Sequence, residues 1–264
     1  MLNHLLTFLI FTLIGLEIRE GLAHFRAAIL PTLAALGGMV APALIYIAIA
    51  SEKSAWAVVM PTDVALAIGA LSLLGKRVNP AVRLFLMTLA VADDFFSLVV
   101  IGIFFRSDLD ISSAFYTIGA AIIGALLPRR EIALKIIAPV VTFAAIPVYI
   151  WLNLFAHFDI SSMATSNSFS IAIARVAGKI LGISLATWLL IKLTKLRLPQ
   201  GLIFQEVVGI AALAGMGMTV SLVIAEITVK SEATMSQIRS GLFISAIISG
   251  VLGVLWLRRF PVAQ

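Results

Sequence analysis

The sequence predicts an all-α polytopic membrane protein with about nine transmembrane helices. Three observations predict it. Of the 264 residues, 61% are hydrophobic and only 12% charged, a balance that a soluble globule could not hold without large exposed apolar patches. Apolar stretches of about 16 to 27 residues recur along the whole chain, the range in which a helix crosses a hydrocarbon core of about 30 Å. The separators are short and rich in Lys, Arg, Pro and Ser, so helices rather than barrel strands are the spanning elements.

The first span, 2–19, lacks a basic start and a small-residue cleavage site, so it reads as a retained helix. It carries Glu17 near its end in "LIGLEIREGL", where a solvated carboxylate is the default. The second covers 28–50. The third, 55–74, is interrupted at mid-depth by Pro61 and the polar pair Thr62 and Asp63 in "VVMPTDVALAIGA". The fourth, 82–105, holds adjacent acids, Asp93 and Asp94, inside an apolar run. The fifth, 112–127, is short for a crossing, and the sixth covers 133–155. Lys179 lies mid-span in the seventh, 169–191. The eighth, 203–229, is broken by Gly215, Gly217, Thr219 and Ser221 in "ALAGMGMTVSLV", and 237–257 closes the series.

The whole chain reads as one integral membrane domain, residues 1–264. A first core repeat covers 28–105, connecting and panel helices 106–168, and a second core repeat 169–260. The middle member of each repeat is interrupted at a corresponding place, a pointer to inverted repeats with broken, crossing helices and a site between them. With nine spans, thirteen of the nineteen Lys and Arg residues fall on one side. Five fall on the other, namely Lys53, Arg106, Arg175, Lys230 and Arg239, and Lys179 on neither. The positive-inside rule then places the N-terminus outside and the C-terminus in the cytoplasm.

Several classes are excluded. Without cysteine there is neither a disulfide framework nor a thiolate metal site. The net charge of +6 sits in short loops beside spans, where lipid headgroups explain it better than nucleic acid does. No nucleophile and base pair or nucleotide loop supports an enzyme, and no cofactor is implied. Glu206 and Glu226 fall near the ends of the eighth span and read as interfacial.

An Asp or Lys at the centre of a span costs roughly 2.5–3.5 kcal/mol, so Asp63, Asp93, Asp94 and Lys179 must meet one another or water. Three acids against one base leave excess negative charge, and an acid-rich centre wants a cation. Adjacent carboxylates titrate together, so protons and metal cations compete for one site, and such competition is a mechanism of exchange. All-oxygen ligation with carbonyls freed near Thr62 suits a hard monovalent ion such as Na+ or Li+. Lys179 is expected to pair with Asp93 when the cation is absent.

At these residues the sequence closely resembles the NhaA-type sodium/proton antiporter family. The resemblance is carried by "GLEIREGL", "LPTLAALGGMVAPALIY", "AWAVVMPTDVALAIGALSLLGKRV", "LFLMTLAVADDFFSLVVIGIFF", "GKILGISLATW", "GIAALAGMGMTVSLVIA" and "SGLFISAIISGVLGVLWLRR", in the family's order over nearly the whole chain. It implies that Asp94 and Asp93 bind the cation and proton, a transient Na+ or Li+ site. It places Thr62 and Asp63 at the crossing and makes Lys179 the partner of Asp93. Glu17 becomes a residue at the helix interface, with a role in pH response. It also implies transported Na+ or Li+ and H+, a bacterial-type plasma (inner) membrane, a role in pH homeostasis and a homodimer as the candidate assembly. The chain departs from the family by about three peripheral helices: one before "MLNHLL", with the hairpin tied to dimer contacts, and about two between "FFRSDLD" and "IGAAIIGALLP". The charged loop tied to pH activation is reduced to "PRREIALKI". Two rival readings follow: a cation or proton leak of the channel kind, and a non-transporting fragment or subunit that needs a partner.

Overall fold

The computed structural model describes residues 2–23, 25–75, 78–105, 114–128, 130–157 and 159–260. Lys76, Arg77, Arg106 and Arg129, which entered the orientation count, lie outside the described residues. Every regular element among those described is helical. In chain order they are α1 (Leu2–Ala23), α2 (Phe25–Ile49), a 3₁₀ segment (Ser54–Val59), α3 (Val64–Ser72) and α4 (Pro80–Phe104). A π-turn (Phe115–Gly119) then leads into α5 (Ala120–Leu126), followed by α6 (Arg130–Val140), a π-turn (Val141–Ala145) and α7 (Ile146–Asn153). Short 3₁₀ turns lead to α8 (Ser166–Leu193), α9 (Phe204–Leu213), α10 (Thr219–Thr228) and α11 (Glu232–Leu257).

Among the described residues seven stretches are long and apolar enough to cross a membrane: Leu2–Arg19, Ala28–Ile49, Ser54–Ser72, Pro80–Phe104, Glu131–Asn153, Ser166–Leu193 and Glu232–Leu257. The fifth expected span is the shorter helix Phe115–Leu126, and the eighth is two half-helices, α9 and α10. Large apolar side chains such as Leu44, Ile103, Leu126, Phe143, Trp151 and Leu185 point outward, which a hydrocarbon surround accommodates and water does not.

Local chemistry sets the ends. Asn79 caps α4 by accepting from Ala81 N at 2.9 Å with Pro80 in the first turn, where its missing N–H costs nothing. Ser231 caps α11 and Thr165 caps α8 through their hydroxyls. Glu206, at the end of the eighth span, is buried in the first turn of α9 and accepts from Ile203 N at 2.9 Å, so it closes that helix end. Between α6 and α7 the chain passes through a π-turn flanked by Pro139 and Pro147, two residues that cannot donate to a regular helical ladder.

Helix α2 packs along α8 at near-backbone distance. A methyl added at Gly182 would stand 2.1 Å from the Gly37 carbonyl oxygen and 2.8 Å from the Ala41 methyl. Small residues replace hydrophobic collapse as the means of association inside a membrane, because lipid tails are as apolar as leucine. The opening helix of one expected repeat is thereby fixed against the opening helix of the other. On the far side α1 packs on α4, α5 and α6.

Gly182→Ala is expected to lower the melting temperature of the detergent-purified protein, with an overpacking cost of about 1–3 kcal/mol. Gly69→Ala, in α3 with nothing within 4 Å of an added methyl, is the control and should melt no lower than the unsubstituted chain. Equal melting of both variants would show that the α2–α8 contact is looser than its geometry.

Candidate functional site

The two interrupted spans meet at their breaks. Ser54–Val59 ends before Pro61, and α3 begins only at Val64. Likewise α9 ends at Leu213, and α10 begins at Thr219. The backbone N–H of Asp63 donates to the Met216 carbonyl at 2.8 Å, joining one unwound stretch to the other as a strand pair would. The Thr62 hydroxyl lies between the Asp93 carboxylate and the Ala214 carbonyl, 2.8 Å from the latter.

Breaking two helices at mid-depth exposes four helix ends, each with backbone groups that lack intrahelical partners. Asp63 serves both N-terminal ends. It caps α3 by accepting from Leu66 N at 3.2 Å, and accepts at the start of α10 from Thr219 Oγ1 at 2.8 Å and Thr219 N at 3.4 Å. A carboxylate suits the positive ends of two half-helices.

Arg175 serves the C-terminal ends. It was counted from the sequence among the loop charges of the outer side, and the structure corrects that reading: it sits in α8 at 0% exposure. Its Nε donates to the Gly215 carbonyl at 3.0 Å, and Nη1 to the Val58 carbonyl at 3.0 Å and to Ser221 Oγ at 2.9 Å. Nη2 donates to the Pro61 carbonyl. Hydropathy put the start of the seventh span at 169 and left Arg175 close to its edge, whereas α8 begins at Ser166. The signal available was spacing, since Arg175 precedes the mid-span Lys179 by four residues and shares its helix face.

The remaining charges divide into two environments. Lys179 Nζ pairs with Asp93 Oδ2 and donates to Thr62 Oγ1 at 3.0 Å, all three side chains buried. The expected Lys179–Asp93 pairing is therefore present. Asp94, the next residue on α4, points elsewhere, because neighbours on a helix diverge by about 100°. It is 5% exposed and lines a cavity of about 370 Å³ together with Glu17, Thr62, Asp63 and Thr219. Asp94 Oδ1 and Ser97 Oγ, one turn further along α4, have no hydrogen-bond partner among the described residues, and Asp93 Oδ1 has none either.

The cavity continues along Ala65, Ile68, Gly69 and Ser72 of α3 and past Met87 of α4, toward the end of the bundle where α3 ends. Glu17 is half-buried, because α1 runs on to Ala23, and its carboxylate faces the acids rather than a solvated helix end. Of the six residues singled out from the sequence, Thr62, Asp63, Asp94 and Glu17 share one cavity, while Asp93 and Lys179 form the buried pair beside it. Glu226 and the buried Arg239 lie apart, near the end of α10 and in α11; Arg239 Nε donates to the Asn153 carbonyl at 2.8 Å.

Comparison with known proteins follows the same residues. The family model described as Na+/H+ antiporter 1 matches residues 1–137 and 128–257. The Na(+)/H(+) antiporter NhaA of Salmonella arizonae is 29% identical over 319 aligned residues, covering 97% of this chain and 82% of that protein. The Na(+)/H(+) antiporter NhaA 1 of Klebsiella pneumoniae subsp. pneumoniae is 30% identical over 320, covering 98% and 81%. The corresponding protein of Citrobacter koseri is 29% identical with coverage of 97% and 82%. These alignments are longer than the 264 residues available, so the relatives carry internal stretches that have no counterpart here.

Removing one partner of a buried ion pair strands the other at a cost of about 3–5 kcal/mol. Asp93→Asn is accordingly expected to lower the melting temperature sharply, and Asp93→Asn combined with Lys179→Ala to recover part of the loss. A double variant that melts no higher than the single one would contradict the pairing.

Proposed function

The chain belongs to the Na+/H+ antiporter 1 family, and from that premise we propose that it is a secondary active antiporter exchanging intracellular Na+, or Li+, for external H+ by competition at a mid-membrane acidic site. Family members of this kind are secondary transporters rather than enzymes. The observation that supports the finer reading is Asp94: a buried carboxylate, one oxygen of which has no hydrogen-bond partner among the described residues, on the wall of the cavity that Glu17, Thr62 and Asp63 also line.

The chemistry follows from desolvation. An ionised carboxylate without a partner is costly at this depth, and either a bound proton or a bound Na+ removes that charge. Asp94 supplies the charged ligand, and the side-chain oxygens of Thr62 and Asp63 with freed carbonyls replace part of the ion's hydration shell. Asp93 stays neutralised by Lys179 until a cation at Asp94 competes for it.

Orientation completes the cycle. With the N-terminus outside and the C-terminus in the cytoplasm, the bundle end on the side of Ser72 and Met87 is the cytoplasmic one, and the lining of the cavity by these residues supports access from the inside. Helices α2 to α4 and α8 to α11 form the moving core, and α1 with α5 to α7 the panel against which it moves. Inward protons then drive outward Na+, in a bacterial-type inner membrane and in the service of pH homeostasis. A homodimer is the assembly that the family relationship favours.

Proteoliposomes holding the purified protein and an internal pH dye test this. Imposed Na+ gradients should move protons in the opposite direction, and Asp94→Asn should reduce that movement to background. Sodium flux with no proton movement would replace antiport by a leak. An intact, folded protein that moves neither ion would point to a subunit awaiting a partner.

A further inference from the structure

Arg175 carries a full charge in the middle of the crossing and takes no part in the exchange described above. We propose that Arg175 is a positioning residue of the transport reaction, a clamp that binds both unwound segments into one unit and so leaves Lys179 free to change partners. The inference rests on the antiport reading and extends it to a residue outside the acidic cavity.

Four hydrogen bonds carry the argument. The acceptors are the carbonyls of Val58 and Pro61 from the first break, the carbonyl of Gly215 from the second, and the hydroxyl of Ser221 in the first turn of α10. None is a carboxylate. The charge faces the negative ends of two half-helices, and the planar fork spans both breaks at once, an arrangement that an ammonium with one nitrogen does not reproduce. The backbone closes on it: a methyl at Gly217 would stand 2.0 Å from Nη2 of Arg175 and 2.4 Å from the Pro61 carbonyl oxygen.

Position on α8 gives the clamp its functional meaning. Lys179, one turn further on, would otherwise be the cation available to the same carbonyls, and a lysine held by helix ends is not released by an arriving ion. With Arg175 on those carbonyls, Lys179 bonds to Asp93 and Thr62, the residues that border the ion site. Pro61 and Gly215 in turn sit one residue from Thr62 and from Ala214, whose carbonyl the Thr62 hydroxyl meets at 2.8 Å. Loosening the guanidinium therefore displaces Thr62 without removing any group that touches the ion.

The test compares Arg175→Lys with the unsubstituted protein in two ways: Na+ dependence of proton exchange in proteoliposomes, and hydrogen–deuterium exchange of peptides covering 58–63 and 213–219. The substitution keeps the charge and loses the fork. Faster deuterium uptake in both breaks together is expected, along with a KM for Na+ raised about tenfold while kcat changes less than about threefold. A KM within twofold of the unsubstituted protein, whatever the melting temperature, overturns the positioning role, and uptake raised in only one break overturns the clamp. Should Arg175→Lys fail to fold, Ser221→Ala, which removes a single acceptor, must raise KM by about two- to fourfold, and an unchanged KM there is equally decisive. If the unsubstituted protein itself moves no protons against Na+, the antiport reading falls, while paired deuterium uptake still decides the clamp.

Discussion

The constraint on which the rest of this structure depends is the need to terminate helices where there is no water. Two interrupted spans leave N–H and C=O groups without intrahelical partners at mid-depth, where each unsatisfied group costs several kcal/mol. Side chains of opposite charge meet that need. Asp63 accepts from the starts of α3 and α10, and Arg175 donates to the carbonyls that end the preceding half-helices. The breaks are thereby stable enough to persist.

The close contact of α2 with α8 serves the same end. Arg175 and Lys179 project from a helix whose Gly178 and Gly182 press directly on the backbone of α2, so the two cations are delivered from a rigid wall. The opposite wall is different in kind. Helix α1 presents Glu17 to the cavity from the panel side, and the cavity itself is the evidence of looser packing there. Rigidity on one face and a gap on the other is what a core that moves as a unit requires.

Much of this was legible in the sequence because buried charge is so costly that its mere presence in an apolar run is informative. Asp63, Asp93, Asp94 and Lys179 stood out for that reason; the cost of a buried ammonium called for an acidic partner, and the family resemblance pointed to Asp93. The breaks were visible through Pro61 and the Gly215 and Gly217 pair, since these residues weaken a helix whatever surrounds them. Arg175 was not, because hydropathy locates spans by averaging, and a charge a few residues inside an edge is absorbed into the loop. Glu17 was discounted by the same mechanism: α1 continues to Ala23, so a residue that seemed terminal is a full turn inside. The separation of Asp93 from Asp94 needs the helix direction relative to α8, which no local pattern encodes.

Counting Arg175 also changes the charge balance on which the functional argument turns. With Asp63, Asp93 and Asp94 set against Lys179 alone, the crossing would hold two excess negative charges, and no single monovalent ion would neutralise it. Arg175 brings the excess to one among the described residues of the crossing. Asp63 and Arg175 are tied to opposite helix ends, Asp93 is tied to Lys179, and the surplus resides on Asp94, the carboxylate that faces the cavity. In the exchange proposed above, a proton or a Na+ restores neutrality at that position. Adjacent acids on one helix are thus no redundancy: the divergence of about 100° between neighbours sets Asp93 against Lys179 and Asp94 on the wall of the cavity.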